Sequence, residues 1–350
     1  MHRVALVGFG LSGKVFHAPL IAATPGLKLA TVVTSRHAEV TTDYPDATVV
    51  TSIEAALADP SVMLVVLASP DHLHADHLHA DHALAALDAG KHVVIDKPFT
   101  PTLEEARFVA TRAADKRLML SVFHNRRWDS DFLTLRRLIA NGELGEVVEL
   151  ESRFDRWRPE LGERWKDRRA GGVWQDLGPH LVDQALVLFG RPIAVSADLA
   201  TLKPGGTGTD YAQAVLRYPG RRVTLHMAQT MPDHALRFAA HGTRASFVKH
   251  GLDPQEEQSK GGMHPLDPRW GIDAQPGRLT RADGSETIVV PERGDYLAYY
   301  RAVSATLSGG AAMPASADEA LAVMEVIAAG LASSEQRREI GISPPSPRES

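Results

Sequence analysis

Val4-Ala5-Leu6-Val7-Gly8-Phe9-Gly10-Leu11-Ser12-Gly13 decides how the rest of the chain is read. A short apolar, β-branched run stops at a Gly-x-Gly-x-x-Gly turn and passes into Lys14 to Ala23, which reads as helical. Strand, glycine turn, helix is the order of a dinucleotide-binding unit. Gly8 suits a tight turn, Gly10 lets the main chain approach a pyrophosphate, and Gly13 lets helix and strand pack closely. With Phe9, Leu11 and Ser12 completing the turn, the free N–H groups and positive end of the helix supply an anion site.

Leu27 to Thr34 reads as the second strand, and its end bears on the choice of cofactor. NAD-type sites place Asp or Glu there, about 20 residues beyond the glycines, to hold the ribose 2′-hydroxyl. This chain has Ser35-Arg36 instead. A small hydroxyl followed by a guanidinium suits a 2′-phosphate, whose charge a carboxylate would repel. NADP is therefore the expected cofactor. The plainer reading of Arg36 is a solvated loop residue, in which case NAD would serve as well.

Val62 to Ala68 is a continuous apolar run, as expected of a parallel strand buried on both faces, and it ends at Ser69-Pro70 on the ligand edge of such a sheet. Asp71-His72-Leu73-His74-Ala75 is then repeated as Asp76-His77-Leu78-His79-Ala80. The repeat invites a metal reading, but a five-residue step turns a helix by about 140°, so the copies would not share one face. It reads as a short duplication extending a helix that ends at Ala89-Gly90. His92 to Ile95 forms another buried strand, followed by Asp96-Lys97-Pro98. Proline holds the preceding residue extended, which leaves Lys97 at the strand's carboxyl edge, on the same side as the glycine turn.

A helix over Thr102 to Ala114 and a strand over Leu118 to Phe123 complete a Rossmann domain at 1–123. An amphipathic helix carrying Phe132, Leu135, Leu138 and Ile139 leads into a second domain at 124–337. Strand-like runs over Val147–Phe154, Ala194–Thr201, Tyr211–Tyr218, Val223–Met227, Leu236–Ala240 and Ala245–Val248 follow with short turns. Strands without intervening helices imply a largely antiparallel sheet in an α+β domain. Gly251 to Gly284, rich in Gly, Pro and Asp, reads as a long loop that could cover the site. Asp295–Leu307 and Ala317–Arg337 read as helices, the last packing back on the Rossmann domain. Residues 338–350 form a tail.

The 350 residues suffice for two cores, and 44% apolar with 23% charged residues is an ordinary globular composition. A net charge of −5 gives no electrostatic reason to expect nucleic acid or an acidic membrane as partner. Without cysteine there is no disulfide framework, thiolate nucleophile or thiolate metal site. No run approaches the roughly 18 apolar residues of a membrane span, and the N-terminus lacks a signal-peptide pattern. A cytoplasmic protein is expected.

Gly171-Gly172-Val173-Trp174-Gln175-Asp176-Leu177-Gly178-Pro179-His180-Leu181-Val182-Asp183 holds a second group of chemical interest. Pro179 in a helix's first turn would put Asp176 at the start and His180 just inside. The positive helix end would then favour a neutral imidazole, as a general base requires. Taken singly, Asp176 reads as a helix cap and His180 as a core histidine.

Together these stretches resemble the Gfo/Idh/MocA oxidoreductases: the glycine turn, Ser69-Pro70, Ala89-Gly90-Lys91-His92-Val93-Val94 leading to Asp96-Lys97-Pro98, and Gly171-Gly172 through Asp183. His17-Ala18-Pro19, Ser35-Arg36, Asn125-Arg126-Arg127 and Arg293-Gly294-Asp295-Tyr296 are most similar to its NADP-dependent scyllo-inositol dehydrogenase branch. The resemblance implies that Lys97, Asp176 and His180 act together. It also implies an open, mainly antiparallel second sheet used for oligomerisation, hence a homodimer or homotetramer. Two departures stand out. Asp96 replaces the family's frequent Glu, and the duplication leaves two candidates for its Ser/Thr-Pro-Asn-x-x-His histidine: spacing from upstream selects His74, helix register from downstream selects His79.

The expected chemistry is hydride transfer between a nicotinamide and a secondary carbinol of a polyol, cyclitol or sugar. His180 takes the hydroxyl proton, Lys97 stabilises the oxygen and Asp176 orients a neighbouring hydroxyl. Arg126, Trp157 and Trp165 are candidate substrate contacts, the tryptophans reading equally well as core. Three rivals stand beside this reading: zinc-assisted oxidation at the histidine repeat, a sugar- or cofactor-sensing regulator without turnover, and redox-neutral use of a retained nicotinamide.

Overall fold

The apolar runs at the start of the chain become parallel strands because each is followed by a segment able to cross back as a helix. The computed structural model describes residues 1–69, 78–161, 172–310 and 313–343. Strands β1 (His2–Val7), β2 (Leu27–Val33), β3 (Thr48–Val50), β4 (Val62–Leu67), β5 (His92–Ile95) and β6 (Leu120–Val122) form a six-stranded sheet in the order β3-β2-β1-β4-β5-β6. Every pairing in it is parallel. This is the doubly wound Rossmann order, whose ligand crevice lies outside the carboxyl ends of the strands where the winding reverses, between β1 and β4.

Helices α1 (Ala18–Ala23), α2 (His37–Asp43), α3 (Ile53–Leu57), α4 (Leu78–Asp88) and α5 (Leu103–Asp115) make the crossovers. A π-helical turn over Gly13–His17 runs directly into α1. The start of α5 is fixed by a capping box, in which Thr102 Oγ1 accepts from the Glu105 N–H and the Glu105 carboxylate accepts from the Thr102 N–H.

The remaining helices are α6 (Ser130–Ala140), α7 (Gly172–Phe189), α8 (Gln255–Lys260), α9 (Leu297–Leu307) and α10 (Ala317–Gln336). The second sheet comprises β7 (Val147–Arg153), β8 (Ala194–Ala200), β9 (Tyr211–Tyr218), β10 (Arg221–Ala228), β11 (Leu236–Gly242), β12 (Ala245–His250), β13 (Gly277–Arg281), β14 (Glu286–Val289) and β15 (Ile340–Gly341). Its order is β14-β13-β12-β11-β7-β10-β9-β8-β15. Only β7 and β10 pair in parallel; the other pairings are antiparallel. Alternation sets the faces: on β10, Val223, Leu225 and Met227 enter the core, while Arg222, Thr224 and His226 stay out of it. Helix α7 packs against β9 and β10 on the core side.

The chain forms two compact units. The first joins residues 1–128 to 255–271 and 295–321; the second comprises 129–254, 272–294 and 322–350. Division of the sequence at residue 123 therefore misses two returning segments. Aromatic burial explains the return of the second of these: Tyr296, Tyr299 and Tyr300 are fully buried in one core with Phe9, Ile21 and Val32.

The stretch from Gly251 to Gly284 is not the long loop its Gly and Pro content led us to expect. It contains α8, where Glu256 and Lys260 pair one turn apart at 2.8 Å, and β13, which extends the second sheet beside β12. Ile340–Gly341, within the expected tail, adds an edge strand to β8. Among the described residues no helix is long and apolar enough to cross a membrane.

Candidate functional site

In the first unit, the glycine turn is built by close backbone approach. Gly8 has φ +99°, and a Cβ there would lie 2.7 Å from the Ala68 carbonyl oxygen. A Cβ on Gly13 would lie 2.1 Å from the Gly8 carbonyl oxygen. The turn is thus pressed between β1 and the end of β4, with Leu11 exposed above it. A side chain at either glycine would fill the place where main chain must pass, as the dinucleotide cradle requires.

Asp96 and Lys97 follow β5 on the same sheet edge. Asp96 Oδ1 accepts the Lys97 N–H at 2.8 Å, and the Ser12 side chain from the glycine turn also bonds this carboxyl. Its Oδ2 faces His17 Nε2 at 3.8 Å, an electrostatic contact beyond hydrogen-bond range. Burial pushes the Asp96 carboxyl up, but His17, Ser12 and the Lys97 charge outweigh it and hold the group well below the usual carboxylate range. His17 has no exposed surface; its Nδ1 lies 2.6 Å from the Tyr300 hydroxyl and its ring 4.4 Å from that of Phe123. Nδ1 thus engages the phenol, and Nε2 is the ring nitrogen that faces Asp96.

His79, in the first turn of α4, connects two loops on this edge. Its Nε2 lies 2.9 Å from the Ser69 carbonyl oxygen and its Nδ1 3.3 Å from that of Pro98. Helix register thus brings His79 to the strand ends beside Lys97. Pro70 and His74 lie outside the described residues, as does Trp165.

At the end of β2, Ser35 and Arg36 are exposed. The Arg36 N–H donates to Thr34 Oγ1 at 3.1 Å, and its guanidinium lies 3.6 Å from Glu39 Oε1. The other Glu39 oxygen holds Lys14 Nζ at 2.7 Å. This hydrogen bond raises the ammonium above its ordinary range and lowers the carboxyl below its own.

Arg126 lies in a 3-10 turn over Asn125–Trp128, where it is buried and its guanidinium pairs with Glu256. This candidate substrate contact is thus paired with a carboxylate of its own unit.

In the second unit, Asp176 and His180 lie one turn apart on α7, with Gln184 one turn further along the same stripe. The helix begins two turns before Pro179, so Asp176 and His180 stand in its interior and not at its start, as the first-turn reading of Pro179 had placed them. Proline at that position removes the N–H that would have bonded to the Gln175 carbonyl and crowds that carbonyl, yet the helix continues through it to Phe189. The argument from a positive helix end to a neutral imidazole therefore lapses, since that field fades within the first turn.

Two buried ties set the rotation of α7. Trp174 Nε1 donates to the Ile327 carbonyl at 3.0 Å, and Gln184 Oε1 accepts from the guanidinium of fully buried Arg237 at 2.6 Å. Arg237 is in turn paired with buried Asp131 at 3.2 Å. His180 is buried and Asp176 partly exposed. Trp157, the remaining candidate substrate contact, is 50% exposed and so is not a core residue.

Among the described residues no group of three or more His, Asp or Glu side chains is arranged to hold a metal ion. The sequence assigns no site role to His17, Lys14, Glu39, Gln184 or Arg237, since each acquires its role from a partner distant in the chain. The dinucleotide fits the first unit by the cradle at Gly8 and Gly13 and by the cations near the end of β2.

A parallel Rossmann unit with this glycine cradle, joined to a unit built on a broad mixed sheet, defines a class. Residues 2–124 match the NAD-binding Rossmann fold of the Gfo/Idh/MocA oxidoreductase family, and residues 136–342 match its C-terminal alpha/beta domain. The chain belongs to that family and is a nicotinamide dinucleotide-binding oxidoreductase. It is 46% identical to the uncharacterized oxidoreductase YdgJ of Escherichia coli over 96% of this chain and 97% of that one. It is 39% identical to the scyllo-inositol 2-dehydrogenase (NADP(+)) IolW of Bacillus subtilis over 97% of this chain and 95% of the relative. The solved structure of the YPO2259 protein of Yersinia pestis superposes with a TM-score of 0.94 at 45% identity, covering 99% of this chain and 98% of that one.

Proposed function

We propose that this protein is an NADP-preferring dehydrogenase or reductase acting on a secondary alcohol or ketone of a cyclitol or sugar. The observation that carries the reading is Lys97, placed just past β5 on the sheet edge of the glycine cradle, in a chain alike from end to end to an NADP-dependent scyllo-inositol dehydrogenase. The exposed guanidinium of Arg36 just past β2 supports NADP over NAD, because it offers a 2′-phosphate a planar pair of donors.

A bound nicotinamide would supply the hydride acceptor in oxidation and the donor in reduction. Lys97 donates a hydrogen bond to the substrate oxygen and stabilises the negative charge that develops there. His180 accepts the hydroxyl proton during oxidation and returns it during reduction. Asp176 accepts from a neighbouring hydroxyl and so fixes which carbinol carbon reacts. Positioned acid–base groups of this kind are worth roughly 10²- to 10⁴-fold each.

The test is the change in reduced-nicotinamide absorbance with purified protein, NADP or NAD, and a panel of inositols and aldoses. Turnover with NADP well above NAD is expected. Lys97→Ala is expected to lose turnover by at least about 10²-fold while still binding NADPH. A Lys97→Ala protein with full turnover would remove the assignment. Cofactor binding with no oxidation of any polyol would favour a sensor, and sugar release without net cofactor change a redox-neutral enzyme.

A further inference from the structure

Lys14 and Arg36 come from different elements, the helical turn after the glycines and the loop after β2, yet both reach one carboxylate. Glu39 holds Lys14 on one oxygen at 2.7 Å and faces Arg36 from the other at 3.6 Å. All three side chains are exposed to about half their extent: 44% for Lys14, 53% for Arg36 and 41% for Glu39. Exposed pairs of this kind contribute little to stability. The carboxylate is thus an anion parked between two cations by an interaction that costs little to exchange.

The charges decide what suits the position. With Glu39 in place the three groups sum to +1; with it turned into solvent the two cations present +2. A phosphate monoester carries about −1.5 to −2 at pH 7 and matches the second state. It also clashes with the first, because two like charges side by side repel, weakly in water and more strongly near a protein surface.

We propose that Lys14 is the second cation of the 2′-phosphate clamp and that Glu39 is its displaceable occupant, giving way when NADP binds. The proposal rests on the reading that the 2′-phosphate lies at Arg36. Lys14 then discriminates NADP from NAD, and Glu39 weakens NADP binding by competing for both cations.

Binding alone tests it, by titrating NADPH and NADH into the full-length protein and following nicotinamide fluorescence or heat. Circular dichroism checks the fold of each variant. Lys14→Ala is expected to weaken NADPH about tenfold and leave NADH within about twofold, the loss of one charge-assisted phosphate contact. Glu39→Gln is expected to tighten NADPH severalfold, again with NADH little changed. Equal weakening of both dinucleotides by Lys14→Ala, or none, would overturn the role of Lys14. Weaker NADPH binding by Glu39→Gln would make Glu39 a support for Arg36 and overturn its role as competitor. Arg36→Ala separates this from the underlying reading. If the unsubstituted protein binds NADH as tightly as NADPH and Arg36→Ala changes neither, the 2′-phosphate site itself is refuted and the clamp with it. If Arg36→Ala removes an NADPH preference that Lys14→Ala leaves intact, only the clamp inference fails.

Discussion

Asp96 is one methylene shorter than the glutamate that the family resemblance leads one to expect, and His17 stands against it. The histidine is fully buried, held by Tyr300 on one nitrogen and 3.8 Å from Asp96 on the other. Lengthening the carboxylate in that space forces its neighbours to move. Asp96→Glu is expected to destabilise the protein by about 1–3 kcal/mol, the usual range for an overpacked interior. His17→Ala in the same chain should return part of that loss, since it clears the space. Urea denaturation of the two single variants and the double variant measures the coupling, and simple additivity would show that the two side chains do not share a volume. Asp96 also has a pH signature. A carboxyl whose native value is depressed stabilises the fold above its ordinary range and loses that contribution only as pH falls below it, so the pH dependence that Asp96 itself contributes is confined to acid.

At the scale of the element, β5 supplies a group that does act near neutrality. His92 opens the strand, and its Nδ1 accepts the Met119 N–H at 3.0 Å just before β6 begins. Burial, aided by His2, holds the imidazole below its usual range. Below about pH 6.5 the unfolded chain takes up a proton that the native chain refuses, so stability falls as pH falls. The melting temperature should therefore drop between pH 7.5 and 5.5, and the drop should be smaller in His92→Asn, whose amide oxygen accepts the same N–H without titrating. An unchanged pH slope in that variant would place the titrating group elsewhere. For α7 the sequence conveyed a helix carrying Asp176 and His180 but misplaced its start. Pro179 signals a first turn only if nothing upstream can continue the helix, and Trp174, buried and bonded to Ile327, holds the preceding turns in place.

At the scale of the whole molecule, the first unit is not a contiguous piece of chain. Its core includes Trp270, Tyr296, Tyr299 and Tyr300, all beyond the β6 strand that ends the Rossmann sheet. A fragment of residues 1–128 is accordingly expected to expose the apolar surface these aromatics cover. It should bind a hydrophobic dye and fail to bind NADPH, while a chain retaining 255–271 and 295–321 keeps both properties native. A cooperatively folded, NADPH-binding 1–128 fragment would show that the returning segments are dispensable.

The sequence by itself determined the dinucleotide-binding class, because the glycine turn, the buried strand runs and their order depend on backbone geometry and periodicity within short windows. It also determined Lys97 as a strand-end residue and the mainly antiparallel character of the second sheet, for the same local reason. Only the tertiary structure brought His79 to the Ser69 and Pro98 carbonyls, set His17 behind Asp96 and returned two late segments to the first unit. It alone brought Lys14, Arg36 and Glu39 to one point. Most of these contacts join residues far apart in the chain, and no local propensity encodes which distant partner a side chain meets; that is decided by how the elements pack.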